Sequence, residues 1–388
     1  MHLVFSKNKL IEYFSIVSKS IPSKTPLNVI KGIFLKATQD RFIIMANNLE
    51  LIIKATIETQ EEDDLKIIES GSLVINEKII DILRQLPHNK VELKMEADTY
   101  RLEIFSGQAK FHLYGMDPDE YPELSNEEEW KNWSVLQFTA SEFKEFFKGV
   151  TFAVSQDEGK PVFKGILMEM SGKNAQNEQI LSTMGSDTYR LAFFEKKYIV
   201  AEEETKPFRL LVPGKLLLEI LRIIDEDESD IKCYFKESEL IIIYKNYVFS
   251  SRLLDDKYPN LKNVFPSSFE TSININKTLF ERTIQRSLLL STGINQMISM
   301  QIEEESLKIR AVSELGRMDE DVVLESKEGE NLSEIYINAR FLLDPLRYLE
   351  NSNLNIQFNG SLGPCVFSEI KNELNRSYRY LVLPIRTE

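Results

Sequence analysis

Pairs of basic residues recur at helical spacing along this chain. They suit phosphate contact better than catalysis. In 213–224, Lys215 and Arg222 are seven residues apart, so at about 100° per residue they fall within about 20° of each other. Leu216, Leu217, Ile220, Leu221 and Ile224 centre on the opposite side. In 338–350, Arg340 and Arg347 repeat the spacing opposite Leu342, Leu346 and Leu349. Lys144 and Lys148 oppose Phe143, Phe146, Phe147 and Val150. Arg282 and Arg286 oppose Phe280, Ile284 and Leu288. Lys9 and Lys19 oppose Leu10, Ile11, Phe14 and Val17, while Lys78 and Arg84 in 76–86 lie off a common line. Regularly spaced cations attract phosphates and carry no code for bases.

The charge distribution sharpens this pattern. The segments 6–20, 76–88, 140–149, 213–224, 277–290 and 338–350 together hold 14 Lys and Arg against 9 Asp and Glu, a net +5. The whole chain carries −14, so the remainder carries −19. That acid gathers in runs at 61–64, 127–129, 202–204, 225–230 and 319–321. An ordinary solvated face explains any one such helix. Recurrence across six helices on an acidic background points to a basic surface built by helices alone.

Catalytic constellations are absent from the sequence. His2, His88 and His112 have no metal-ligand or acid–base partner at useful spacing, and His112 reads as a solvent-facing strand residue. No Walker loop, Rossmann fingerprint, GxSxG or HExxH occurs. Asp117/Asp119 and Asp255/Asp256 each precede a Tyr-Pro and read as turn chemistry rather than a two-metal site. Cys233 and Cys365 form neither a disulfide framework nor a metal pair. No catalytic activity, metal or cofactor is expected.

The elements that carry these residues repeat three times. The clearest copies are 71–124, 208–261 and 333–388. Asn76, Pro213 and Asn338 anchor them; a base follows two residues later at Lys78, Lys215 and Arg340, and a proline forty-six residues later at Pro122, Pro259 and Pro384. Each copy has an earlier half that opens with an amphipathic helix, at 6–20, 139–155 and 276–291, followed by strand-like GIFLKAT, GILMEMS and MISMQIEE. Each unit therefore reads helix, strands, helix, strands over about 130 residues, an ordinary domain size.

Length and composition agree with a multidomain globular chain. It has 388 residues, 43% apolar and 28% charged, with 15 Gly and 13 Pro. No run approaches the ~18 apolar residues of a membrane span. The opening MHLVFSKNKL lacks the pattern of a secretory leader, and the chain reads as soluble, intracellular and reduced. Boundaries near the acidic SNEEEW and the polar PSSFETS give domains 1–127, 128–265 and 266–388.

These residues resemble the bacterial sliding-clamp family, the beta subunits of the replicative DNA polymerase III, and its Gram-positive members in particular. The resemblance covers essentially the whole chain. It rests on IPSKTPLNVIKGIFLKAT (21–38), FAVSQDEGKPVFKGIL (152–167), MGSDTYRLAFFE (184–195), SRLLDDKYPN (251–260), GPCVF (363–367) and LVLPIRT (381–387), in family order and spacing. It implies an α+β fold of three repeated DNA-clamp domains, each with two helices on an antiparallel sheet. It also implies a head-to-tail homodimer closed into a ring, whose helices face sequence-independent double-stranded DNA. A clamp loader would open that ring with ATP. Polymerases and repair proteins would dock through a short peptide. The expected location is cytoplasmic and nucleoid-associated, away from membranes.

The resemblance implies a peptide pocket between the second and third domains. The matching positions are Ser186, Thr188, Tyr189, Arg190, Leu191, Pro259, Val264, Ile284, Asn338 and Phe341, with Leu381, Val382, Leu383, Pro384, Ile385 and Arg386 from the C-terminal strand. Apolar side chains would form the slot. Arg190 and Arg386 would hold peptide carbonyls or a carboxylate at its rim. Thr188 stands where the family mostly has Gly or Ser, and Asn263, Leu261 and Lys262 also depart from its pattern. Lys24 falls where the family often has a DNA-touching Arg, and Phe111, Leu113 and Leu279 fall at ring-interface positions. Three alternatives stay open: a divergent clamp paralogue with repair or other specialised partners, a carboxylate- and metal-dependent nucleic-acid enzyme, and an acidic scaffold that never touches DNA.

Overall fold

A computed structural model describes residues 1–60, 64–96, 98–122, 124, 127–130, 132–175, 178–199, 206–255, 257–291, 296–371 and 375–386. The acidic stretches 61–63 and 202–204 and Asp256 lie outside the described residues. The chain divides into two compact units: residues 1–143 with 222–253, and residues 144–221 with 254–388.

Each unit joins parts of two predicted repeats, because strands of neighbouring repeats pair edge to edge. In the first unit, Tyr247–Arg252 pairs antiparallel with Leu51–Glu58, completing an eight-stranded sheet. In the second, Arg190–Ile199 pairs with Arg376–Val382, completing a nine-stranded sheet. A five-stranded sheet completes the first unit, with Ala109–Tyr114 as its last strand. A four-stranded sheet completes the second, with Gly316–Val323 as one of its edge strands.

The sequence anchors have equivalent places. Asn76, Pro213 and Asn338 each end a strand, and they pair with Gly32, Gly165 and Met297, the first residues of the predicted strands. Asn76 and Asn338 accept hydrogen bonds from the N–H groups of Lys78 and Arg340, both at 2.9 Å, satisfying a donor that a helix start leaves over. One feature of each repeat escaped the sequence pattern. A strand precedes each first helix, at His2–Ser6, Ser134–Thr139 and Thr271–Asn276. These strands run straight into their helices, so no turn signal marks them.

The helices are α1 (Lys7–Val17), α2 (Lys78–Gln85), α3 (Glu127–Trp130), α4 (Ala140–Thr151), α5 (Gly214–Ile223), α6 (Lys277–Ser287) and α7 (Ala339–Leu343). Their apolar faces are core. Leu10, Phe14 and Val17 of α1, Phe143, Phe146 and Phe147 of α4, and Leu216, Leu217 and Ile220 of α5 are all buried. Each such side chain contributes roughly 1.5–3 kcal/mol of hydrophobic stabilisation. The predicted helix over 338–350 is interrupted. It stops at Leu343 and resumes as a short 3₁₀ turn, Pro345–Arg347, because Pro345 has no N–H to continue the ladder. The helical angle between Arg340 and Arg347 therefore does not apply, although both remain exposed.

Candidate functional site

The predicted pocket residues all belong to the second unit. The turn Ser186–Arg190 joins two strands of the nine-stranded sheet. Asp187 organises it: its Oδ1 accepts from the N–H groups of Tyr189 at 2.9 Å and Arg190 at 3.0 Å. Ser186 Oγ accepts from Thr188 N at 3.1 Å and donates to Arg190 O at 2.8 Å. Thr188 takes φ +80°, a left-handed conformation that a β-branched residue rarely adopts. Gly185 lets the preceding strand approach α4, since a Cβ there would lie 2.5 Å from Val150 O.

The C-terminal strand runs beside this turn. Leu381 pairs with Leu191 and Val382 with Arg190. Beyond it, Leu383 N donates to Tyr189 O at 2.9 Å, and Ile385 N donates to Tyr336 O at 2.7 Å. Leu191 and Leu381 share a buried cluster with Leu167, Met184, Tyr258 and Phe265. Val264 in the 3₁₀ turn Lys262–Val264 is exposed, as are Tyr189 and Leu383. Pro259 lines a nearby cavity of about 180 Å³, with Leu167, Met184 and Leu261 among its walls. Glu169 there meets Arg209 at 3.4 Å and Lys262 at 3.0 Å. The result is apolar surface around a short strand end, with charge at one side. An extended peptide carrying apolar anchors fits that chemistry.

Two expectations about the pocket are corrected. Ile284 and Val382 are fully buried, and Ser186, Leu191 and Leu381 nearly so, so they are core beneath the surface and do not line an open slot. Asn338 is half-buried, and its side chain caps α7. Arg190 is not a rim cation. Its side chain is only 10% exposed, and its donors are engaged. Nε donates to Asp187 Oδ2 at 2.9 Å, Nη2 to Phe152 O at 2.7 Å, and Nη1 to Asp344. The guanidinium lies over Phe341 at 4.2 Å and Phe152 at 5.4 Å. Burial opposes its charge, but Tyr380, Asp344 and Asp187 outweigh this and hold its pKa above the ordinary value. Arg386 is exposed, and Pro384 and Ile385 are half-buried.

Lys160 is a residue the sequence reading missed. Its Nζ donates to Thr188 Oγ1 at 2.7 Å and stands 4.7 Å from the Tyr189 ring centre. Asp187, Phe152 and Asp344 were missed as well. Only Asp187 had a signal, a turn-forming Asp just before the predicted Thr188.

Most predicted DNA-facing cations are exposed. In the first unit Lys19, Lys24, Lys78, Arg84 and Arg222 are exposed, and Lys9 is half-buried. Lys78 and Arg84 flank Asp81 at 2.7 and 3.7 Å, which reduces their net charge. In the second unit Lys148, Lys215, Arg282, Arg340 and Arg347 are exposed, and Lys144 is half-buried. Arg286 is the correction here. Its Nε donates to Glu320 Oε2 at 2.9 Å and its Nη2 to Glu320 Oε1, so a carboxylate already occupies its fork. Glu320 lies in the acidic run whose contact with this helix the linear sequence does not show.

Of the interface positions, Phe111 is exposed and Leu113 half-buried on the last strand of the five-stranded sheet, while Leu279 on α6 is exposed. His112 is exposed and meets Tyr114 edge to face. Asp117 Oδ1 accepts from Asp119 N at 3.0 Å, a turn contact as expected. Cys233 and Cys365 are buried thiols whose pKa burial pushes up. Among the described residues no helix is long and apolar enough to cross a membrane.

Three similar α+β repeats, joined through continuous sheets and carrying basic helices, define the three-domain DNA-clamp class. Comparison with known proteins agrees. Models of the N-terminal, central and C-terminal domains of the DNA polymerase III beta subunit match residues 1–125, 137–260 and 262–386. A protein named beta sliding clamp from Halalkalibacterium halodurans is 30% identical over 393 residues, covering 100% of both chains. Another from Bacillus subtilis is 29% identical, again over 100% of both. The crystal structure of the Bacillus subtilis DNA polymerase sliding clamp matches with a TM-score of 0.87 at 29% identity, covering 100% of each chain. The chain belongs to the DNA polymerase III beta-subunit family.

Proposed function

We propose that this chain is a sliding clamp: two copies close head to tail around duplex DNA and tether a replicative polymerase to it. The observation that carries the reading is the pattern of sheet joints. The last strand of the second repeat pairs with Leu51–Glu58 of the first, and the last strand of the third pairs with Arg190–Ile199 of the second. The last strand of the first repeat, Ala109–Tyr114, and the strand Gly316–Val323 of the third are left as sheet edges. An open edge offers unpaired backbone groups to another strand. A second copy supplies both missing partners, and closed symmetry follows. Phe111, Leu113 and Leu279 then form the ring interface, and the domains divide near 127/128 and 265/266.

In this reading the exposed helix cations contact phosphates without reading sequence, and the ring supplies retention. Lys24 adds a loop contact with charge but no bidentate fork. The surface around Tyr189, Val264 and Leu383 takes the partner peptides of polymerases, repair proteins and the clamp loader. The clamp does no chemistry itself and needs no cofactor. It works in the cytoplasm at the nucleoid. Primer extension on a singly primed circular template, with a DNA polymerase and clamp loader, tests this. Full-length products that require the chain support the reading; product lengths unchanged by the chain contradict it.

A further inference from the structure

We propose that Asp344 is a positioning residue for the partner-peptide surface, acting through Arg190; the proposal rests on the peptide-site reading above. Asp344 caps the C-terminal end of α7 and accepts from Arg190 Nη1. Arg190 Nε meets Asp187, whose other oxygen holds the N–H groups of Tyr189 and Arg190. Tyr189 O in turn receives Leu383 N, which places the strand end carrying Leu383. Phe341 of α7 lies under the same guanidinium at 4.2 Å. One end of α7 thus fixes the turn and, through it, two of the three exposed apolar residues at the surface.

The first unit contains an internal control. Its turn Asn47–Leu51 makes the equivalent backbone N–H contacts without a guanidinium. Leu49 N donates to Asn47 Oδ1 at 2.6 Å, and Glu50 N and Leu51 N donate to Asn48 Oδ1 at 3.0 and 2.8 Å. Arg252 N donates to Glu50 O at 3.2 Å, as Leu383 N does to Tyr189 O. Leu51 stands where Arg190 stands in the second unit, so the turn folds without an arginine there. The Arg190–Asp344 pair therefore has a different task, which is to set where the finished turn points.

The test compares wild type, Asp344→Ala and the double variant Arg190→Met with Asp344→Leu. Each full chain is titrated with a fluorescein-labelled peptide of the pentapeptide clamp-binding type, and followed by thermal melting and amide hydrogen exchange over 186–191 and 381–386. The double variant removes the guanidinium together with Asp344 and leaves Asp187 held by the N–H groups of Tyr189 and Arg190 alone, so it is expected to melt closer to wild type than Asp344→Ala, which leaves the buried guanidinium short of one carboxylate. Both variants are expected to bind about tenfold more weakly and to exchange faster over the two segments. Wild-type affinity in either folded variant, or affinity that recovers with stability in the double variant, overturns the proposal. If wild type itself does not bind, the peptide-site reading fails, and exchange alone decides: faster exchange over 186–191 and 381–386 supports positioning, and unchanged exchange rejects it.

Discussion

Leu49 and Thr188 both hold positive φ, 73° and 80°, at the same step of the same turn in different repeats. In the first two repeats the likeness thus extends to backbone strain and to the hydrogen bonds that maintain it. The two turns differ in their side chains. The first has Ser250 and Arg252 where the second has Leu381 and Leu383, as the strand registers Ile52↔Ser250 and Leu191↔Leu381 establish.

Replacing Leu49 by Gly should stabilise the first unit. A left-handed non-glycine residue costs roughly 1–2 kcal/mol, and glycine gives back about 0.5–1 kcal/mol through the unfolded chain. Leu49 is half exposed, so little packing is sacrificed. A net gain of about 0.5–1 kcal/mol, seen as a higher denaturant midpoint, is expected.

Peptide binding should saturate at one site per chain. Apolar anchors need the apolar strand end of the second unit, where Leu381 and Leu383 stand in place of the first unit's Ser250 and Arg252. Leu383→Asp should weaken binding by at least about tenfold, the cost of placing a charge against an apolar anchor. Arg252→Asp should leave it unchanged. Calorimetric titration gives both the affinity and the stoichiometry.

How far the sequence reached follows from which relationships are local. Periodicity exposed the helix faces, and the spacing from Asn76, Pro213 and Asn338 exposed the repeat, because both live within short windows. The same windows yielded the strands Gly32–Ala37, Gly165–Met170 and Met297–Ile302. Pairing of Tyr247–Arg252 with Leu51–Glu58 joins residues far apart in the chain, and a strand's pattern does not name its partner. Arg190 looked like a rim cation for the same reason. Its partners Phe152, Phe341 and Asp344 come from other elements. The apolar periodicity of Leu342, Leu346 and Leu349 continues across Pro345, so periodicity alone reads 338–350 as one helix where the proline interrupts it.

Salt dependence separates the helix cations. Removing a cation that neutralises one phosphate should flatten the slope of log K against log salt by about 0.9. Lys215→Ala, Arg282→Ala and Arg340→Ala should each do so. Arg286→Ala should have a smaller effect, because Glu320 already holds its fork. DNA association measured across a salt series reads out all four.

Acid should loosen the second unit through Glu350. Lys371 chiefly, with Arg376, holds its carboxyl below the ordinary 4.5. A lowered folded pKa means the stabilisation is present above 4.5 and fades as pH falls through the folded value. Melting temperature should therefore drop below pH 4.5, and Glu350→Gln should flatten that drop.

The most direct measurement is retention of the chain on DNA of different topology. Labelled protein is loaded by a clamp loader onto nicked circular DNA, half of which is then cut to linear form, and both are passed over a sizing column in high salt. A topological ring predicts retention on circles and loss from linear ends, with exposed-cation contacts too weak to hold it in salt. Equal retention on both forms, or equal loss from both, would contradict a chain that encircles DNA.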